Sequence, residues 1–137
     1  MIVLDASVAL KWFVEGEPLG ASARGVLDDI ERDPRSYLVP ELFMNEILAV
    51  LTRLPRASTA QVQEALSLVE TLGLARVGNG HELLARAAEL AVSWGVSGYD
   101  AIYLALASLT GSVWLTADER AARKVKRPDL VRLLGRR

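Results

Sequence analysis

Hydrophobic and polar positions follow two alternating patterns along the chain. Short apolar runs of three or four residues recur between longer segments whose apolar residues repeat every three or four positions. The short runs predict buried strands at 2–4, 37–39, 74–77, 113–115 and 130–133. The longer segments predict helices over 7–14, 19–32, 41–54, 58–72, 79–94, 97–109 and 118–125.

Strands that alternate with helices predict an α/β fold around a parallel central sheet. Local signals support several of the helix ends. Ser58 begins a capping-box pattern, Gly95 fits a helix C-cap, and Pro40 fits the first position of a helix. The sequence contains no internal repeat, low-complexity segment or linker, so one domain over residues 1–137 is expected.

Composition excludes several classes of protein. The sequence has 137 residues, of which 51% are hydrophobic, and it contains no cysteine. A disulfide framework, a thiol nucleophile and cysteine-based metal sites are therefore excluded. No basic segment precedes an apolar stretch at the start, and no apolar run approaches the roughly 18 residues of a membrane span. We expect a cytoplasmic protein with no membrane partner.

Charge is distributed unevenly along the chain. The net charge is −1, but residues 119–137 carry eight basic and two acidic side chains, a charge of +6. The preceding 118 residues therefore carry −7. Such a distribution suits a protein that binds cations at one place and a polyanion beside it, although a solvated basic face would have the same composition.

Four acidic residues stand in apolar surroundings. Asp5 follows the first strand, Asp118 lies just after the predicted strand 113–115, Asp100 opens an apolar helix, and Glu46 lies within another helix. Because ligands of parallel sheets bind at the carboxyl ends of the strands, we expect these carboxylates to converge there. Converging carboxylates repel one another, and a hard divalent cation such as Mg²⁺ or Mn²⁺ relieves that repulsion.

Structural roles are open for three of these acids. Asp5 could cap the following helix, and Asp100 could complete a capping box that begins at Ser97. Asp118 could be a favourable first-turn charge, with Thr116 as the cap and Glu119 reaching back. Capping cannot explain Glu46, whose neighbours one helical turn away are apolar.

Four sequence blocks, in this order, resemble the PIN-domain family and, within it, the VapC toxins of toxin–antitoxin pairs. The blocks span nearly the whole chain and lie at 2–13, 39–47, 95–105 and 114–118. The resemblance implies a three-layer α/β/α sandwich and a metal-dependent endoribonuclease. Matched position by position, it places the family's acidic quartet on Asp5, Glu46, Asp100 and Asp118 and its supporting hydroxyls on Ser7 and Thr116. Glu119 adds a further acid at the last corner.

The resemblance also implies partners. Relatives form homodimers and are inhibited by a VapB-type antitoxin, through which alone they bind operator DNA. In the mechanism expected, Mg²⁺ or Mn²⁺ activates water against an RNA phosphodiester and leaves a 5′-phosphate and a 3′-hydroxyl. From charge alone, the candidates for holding the RNA backbone are Lys11, Arg120 and Arg123.

Other functions fit the sequence less well. A haloacid-dehalogenase phosphotransferase needs a second aspartate two residues after the first, where this chain has Ser7. A receiver domain needs a phosphoacceptor after a middle strand, and Val77 and Gly78 offer none. A PIN nuclease with a housekeeping role in RNA processing, or an inactive PIN scaffold, stays open as an alternative.

Overall fold

A five-stranded parallel sheet forms the centre of the protein. The computed structural model describes residues 1–136. The strands run in the order β3-β2-β1-β4-β5, and all four neighbouring pairs are parallel. Their bounds are Ile2–Leu4 for β1, Tyr37–Pro40 for β2, Ala75–Val77 for β3, Val113–Thr116 for β4 and Val131–Leu133 for β5. The prediction of a parallel α/β sheet is confirmed.

Helices cover both faces of the sheet. They are α1 at Ala6–Leu10, α2 at Gly20–Arg32, α3 at Leu42–Leu51, α4 at Thr59–Thr71, α5 at His81–Trp94, α6 at Gly98–Thr110 and α7 at Glu119–Arg123. Side chains alternate across the strands, so Val3 and Trp114 pack with α5 and α6 while Leu4 and Leu115 pack with α1 to α4. The fold is therefore the expected three-layer α/β/α sandwich.

Three helices are shorter than predicted, and they end for one physical reason. After α1, α3 and α7, the backbone hydrogen bonds join residues three positions apart instead of four. Examples are Trp12 N to Ala9 O, Arg53 N to Val50 O and Val125 N to Ala122 O. Such 3₁₀-type turns continue the apolar spacing beyond the α-helix, so the pattern alone overestimates helix length.

The prediction for Pro40 was wrong. Pro40 is the last residue of β2, paired with Val77, and Glu41 is the N-cap of α3. The predicted cap signals at Ser58 and Gly95 are confirmed. The Ser58 hydroxyl accepts from Gln61 N at 3.1 Å, and Gly95 ends α5 with φ of 69°, a conformation that glycine adopts without strain.

No single helix within residues 1–136 is long and apolar enough to cross a bilayer. Within the same residues, one consecutive pair, α5 with α6, has the required length and apolar composition when taken together, but the two helices are bent by 116°.

Candidate active site

The fold brings the four acidic residues to one edge of the sheet. Asp5 follows β1 directly, and Asp118 lies two residues after β4, the neighbouring parallel strand. Asp100 is in the first turn of α6, and Glu46 is in the middle of α3. The carboxyl ends of parallel strands and the helices that follow them share this edge, which is the usual place for a ligand site.

The charges of the four acidic residues act on one another. Burial raises the pKa of Asp5, and the charge of Asp118 raises it further. Burial also raises the pKa of Asp100, with added repulsion from Asp5 and then from Asp118. The pKa of Glu46 is raised by burial and by the charges of Asp5 and Asp100. Asp5, Glu46 and Asp100 therefore each lie in the negative field of other carboxylates, an arrangement that suits a cation.

Asp5 is the most deeply buried of the four and is held on both oxygens. Oδ2 accepts from the backbone N–H of Ser7 at 2.9 Å, which caps α1. Oδ1 accepts from the indole Nε1 of Trp114 at 3.1 Å. Both donors are neutral, so they fix the carboxylate without neutralising its charge. Together with the nearby Ser7 hydroxyl, they offset part of the rise that burial causes in the pKa of Asp5.

Ser7 and Thr116 connect the loops that carry Asp5 and Asp118. Their hydroxyl oxygens lie 3.4 Å apart, and Ser7 Oγ accepts from Ala117 N at 3.0 Å. Thr116 Oγ1 accepts from Asp118 N at 3.1 Å. These contacts brace the two loops against each other, which is a structural basis for the supporting role expected of both hydroxyls.

The capping scheme considered for Asp118 was wrong. Asp118 is itself the N-cap of α7, and its Oδ1 accepts from Ala121 N at 3.0 Å. Glu119 does not reach back, because Oε1 pairs with Arg123 at 2.8 Å and Arg136 at 3.2 Å. Two arginines thus engage the additional acid.

Glu46 receives little support from the surrounding protein. Within residues 1–136, its buried Oε1 has no hydrogen-bond partner, and neither has the buried hydroxyl of Tyr103. The Tyr103 hydroxyl lies close enough to Glu46 to oppose part of the rise in the pKa of this carboxyl, but the two groups do not meet in hydrogen-bonding geometry. A buried carboxylate oxygen without a donor is costly, and a cation or a water molecule would satisfy it.

The donor set fits a hard divalent ion, although the carboxylates stand apart. Within residues 1–136, no three acidic or histidine side chains are close enough to hold an ion directly. None of the four acids forms an ion pair with a lysine or arginine in that part of the chain. Oxygen ligands, an unpartnered Oε1 and unneutralised charge together suit Mg²⁺ or Mn²⁺, which commonly keep several water ligands.

The basic candidates are placed differently from one another. Lys11 is mostly buried and pairs with Glu17 at 3.6 Å, and Arg123 pairs with Glu119. Arg120 is exposed, and it forms no ion pair with any residue of 1–136. The charge of Lys124 lowers the pKa of Asp100, so this lysine lies close to the acids.

Sequence reasoning missed Lys124, Trp114 and Tyr103 as parts of this site. Lys124 is one of eight basic residues in 119–137, and no local pattern singles it out. Trp114 and Tyr103 lie in apolar runs and are buried in the core. The available signal was that a buried indole N–H or phenol hydroxyl needs a polar partner.

Comparison with protein families assigns the fold. A family model described as the PIN domain matches residues 2–127. The chain belongs to the PIN domain family. Comparison with curated proteins gave no match.

Solved structures similar to this PIN domain share its fold at low identity. A toxin–antitoxin complex from Klebsiella pneumoniae has a TM-score of 0.74 and 16% identity, with all of both chains covered. VapC20 from Mycobacterium tuberculosis, a sarcin–ricin loop cleaving toxin, has a TM-score of 0.70 and 16% identity over 90% of this chain and 94% of that one. Rickettsia felis VapBC2, bound to a promoter DNA fragment, has a TM-score of 0.71 and 12% identity over 96% of each chain.

Proposed function

We propose that this PIN domain is an endoribonuclease that depends on Mg²⁺ or Mn²⁺ and is the toxin of a VapBC-type toxin–antitoxin pair. One observation supports the activity above all. Asp5, Glu46, Asp100 and Asp118 share one negative field at the carboxyl edge of the sheet, without a basic side chain paired to any of them in residues 1–136.

The four acidic residues would have different roles in the reaction. Asp5, Asp100 and Glu46 would hold the ion, directly or through water, and Asp118 would complete the site. When bound, the ion supplies Lewis-acid activation of the scissile phosphodiester and of the attacking water. Glu46, with a raised pKa and a free Oε1, is suited to orient that water and to accept its proton. The products would carry a 5′-phosphate and a 3′-hydroxyl.

The proposed partners are supported by the structural relatives. One relative is a toxin–antitoxin complex, another is a toxin that cleaves the sarcin–ricin loop, and a third is a VapBC complex on promoter DNA. By analogy, this chain would cleave RNA, form a homodimer, bind a VapB-type antitoxin and reach operator DNA only through that antitoxin. A cytoplasmic location follows from the same proposal.

The activity is tested with purified protein and a labelled RNA. We expect cleavage that requires Mg²⁺ or Mn²⁺ and stops in excess EDTA. Asp5→Asn and Asp100→Asn should each lower the rate by about 100-fold or more, because each removes an anionic oxygen ligand. Asp28→Asn, an exposed acid on α2, is the matched control and should cleave normally. Equal cleavage in EDTA would refute the proposal.

Expression in a bacterial host separates a toxin from a housekeeping nuclease. Induction should arrest growth, and co-expression of the small gene beside it should restore growth. The Asp100→Asn variant should have no effect on growth. Normal growth with active, soluble enzyme would favour the housekeeping role.

A further inference from the structure

Two aromatic side chains lie directly beneath the acidic site. The rings of Trp114 and Tyr103 stack with centroids 6.1 Å apart and planes 24° apart. Trp114 on β4 is fully buried, and Tyr103 on α6 is 1% exposed. Their polar atoms nevertheless point toward the carboxylates: the indole donates to Asp5, and the hydroxyl lies in the field of Asp5 and Glu46.

A buried tryptophan needs an acceptor for its N–H, and a backbone carbonyl satisfies that need elsewhere in this protein. The indole of Trp12 donates to the carbonyl oxygen of Ala23 at 2.8 Å. Trp114 instead donates to a carboxylate of the site, across 109 positions of sequence. The choice of partner distinguishes Trp114 from a residue that only fills the core.

The geometry around Asp5 suits a ligand that must be held in one orientation. One neutral donor holds each oxygen, Trp114 on Oδ1 and Ser7 N–H on Oδ2. Each oxygen keeps a further lone pair, and the carboxylate keeps its charge. An arginine in place of the indole would fix the same rotamer but would compete with a cation.

We infer that Trp114 is a positioning residue for Asp5 and that Tyr103, stacked on the indole, holds the indole in place. The inference rests on the proposed function, since it assumes that Asp5 binds a divalent ion. Partners that orient metal ligands are typically worth about 10- to 100-fold in metal affinity. Trp114 should therefore contribute to ion binding without touching the ion.

The test measures Mn²⁺ binding by electron paramagnetic resonance of the free ion, in the full chain without RNA. Trp114→Phe keeps a stacked ring and removes the N–H, and we expect its Mn²⁺ affinity to fall about 10-fold or more. Trp12→Phe removes an equivalent indole hydrogen bond from a remote position and is the matched control. Its affinity should stay within about twofold of wild type.

A second variant separates the hydrogen bond from packing, because Trp114→Phe leaves a cavity. In a Trp12→Phe, Trp94→Phe background, biosynthetic replacement of Trp114 by benzothienylalanine keeps the ring shape and lacks only the N–H. Relative to the Trp12→Phe, Trp94→Phe parent, we expect the same loss of Mn²⁺ affinity, with a melting temperature lower only by the loss of one hydrogen bond. In wild-type protein, the Trp114 indole resonance should shift on Mg²⁺ addition while that of Trp12 stays fixed.

The outcomes distinguish this inference from the proposed function. If wild type binds Mn²⁺ and the benzothienyl variant binds it equally well, the positioning role is overturned and the nuclease proposal stands. If the variant loses affinity while wild type cleaves no RNA, the positioning role is supported and the nuclease proposal fails. If wild type binds no Mn²⁺, both are overturned.

Discussion

Among individual residues, Glu46 has the carboxylate that the protein itself supports least. Each of the other three acids takes part in a helix cap. The side chains of Asp5 and Asp118 accept a hydrogen bond from a backbone N–H, and the backbone N–H of Asp100 donates to Ser97. Glu46 has no such role in the middle of α3, and its buried oxygen lacks a partner within residues 1–136. A side chain that costs stability by itself is best explained by a ligand that it would bind.

Glu46→Gln should therefore stabilise the metal-free protein. The amide removes a half-buried charge that burial, Asp5 and Asp100 all disfavour. Because water screens the exposed part of the side chain, we expect a gain of a few tenths to about 1 kcal/mol in the free energy of unfolding. Urea denaturation of wild type and Glu46→Gln in EDTA measures this difference.

The same variant should cleave RNA poorly, so stability and activity should move in opposite directions. A loss of stability on Glu46→Gln would mean that the carboxylate already has a favourable partner, and it would weaken the assignment of Glu46 to the ion site.

Among the elements, α6 links the core to the site. Its central residues are buried against the sheet, whereas its first turn carries Asp100. Ser97 fixes this turn, because its hydroxyl accepts from Asp100 N at 3.0 Å. The start of α4 has the same construction, with Ser58 accepting from Gln61 N, but carries none of the four acids.

Ser97→Ala and Ser58→Ala form a matched pair. Each removes one N-cap hydrogen bond, and each should cost about 1 kcal/mol in urea denaturation. Only Ser97→Ala should also lower the RNA cleavage rate, because it loosens the turn that orients Asp100. Equal activity of the two variants would show that the cap of α6 has a purely structural role.

The elements also show which features can be predicted from sequence. Strands and helices were found where the signal is local, as in the apolar run of β1 or the caps at Ser58 and Gly95. Helix ends were missed where 3₁₀-type turns continue the apolar spacing. The contact from Trp114 to Asp5 joins residues 109 positions apart, so no local pattern reveals it.

In the molecule as a whole, the acidic site adjoins the basic end of the chain. Arg120 lies two residues after Asp118, and Lys124 lies near Asp100. Under the proposed function, the carboxylates would bind a cation and the neighbouring basic side chains a polyanion. Pairing with Glu119 leaves Arg123 less able than Arg120 to bind phosphate.

Arg120→Ala and Lys124→Ala should each weaken RNA binding about equally for all sequences. A lost phosphate contact should reduce the slope of log affinity against log salt by about 1. Arg35→Ala is the control, because this exposed arginine precedes β2 at the opposite edge of the sheet. RNA affinity is measured by filter binding over a series of salt concentrations, with all variants in an Asp100→Asn background that does not cleave the RNA. An unchanged slope would exclude Arg120 and Lys124 from the RNA interface.

The acidic site should also set how the stability of the whole protein depends on pH. The pKa values of Asp5, Glu46 and Asp100 are all raised by folding. Between the unfolded and folded pKa values, the native state binds more protons than the unfolded state, so the free energy of unfolding falls as pH rises through that window. In EDTA, these acids should therefore favour the folded state more at about pH 5 than at about pH 7.5.

Exposed Asp129 has the opposite effect on the pH dependence of stability, because Arg127 lowers its pKa. The contribution of the acidic site is therefore best measured as the difference in stability between wild type and Asp100→Asn at each pH. The variant lacks Asp100, one of the three carboxyls whose pKa is raised by folding. Its free energy of unfolding should therefore increase relative to that of wild type as pH rises. Added Mg²⁺ binds the deprotonated native state, so it should raise the melting temperature of wild type near neutral pH and have little effect at about pH 5. Equal stabilisation by Mg²⁺ at both pH values would place its binding site away from these carboxylates.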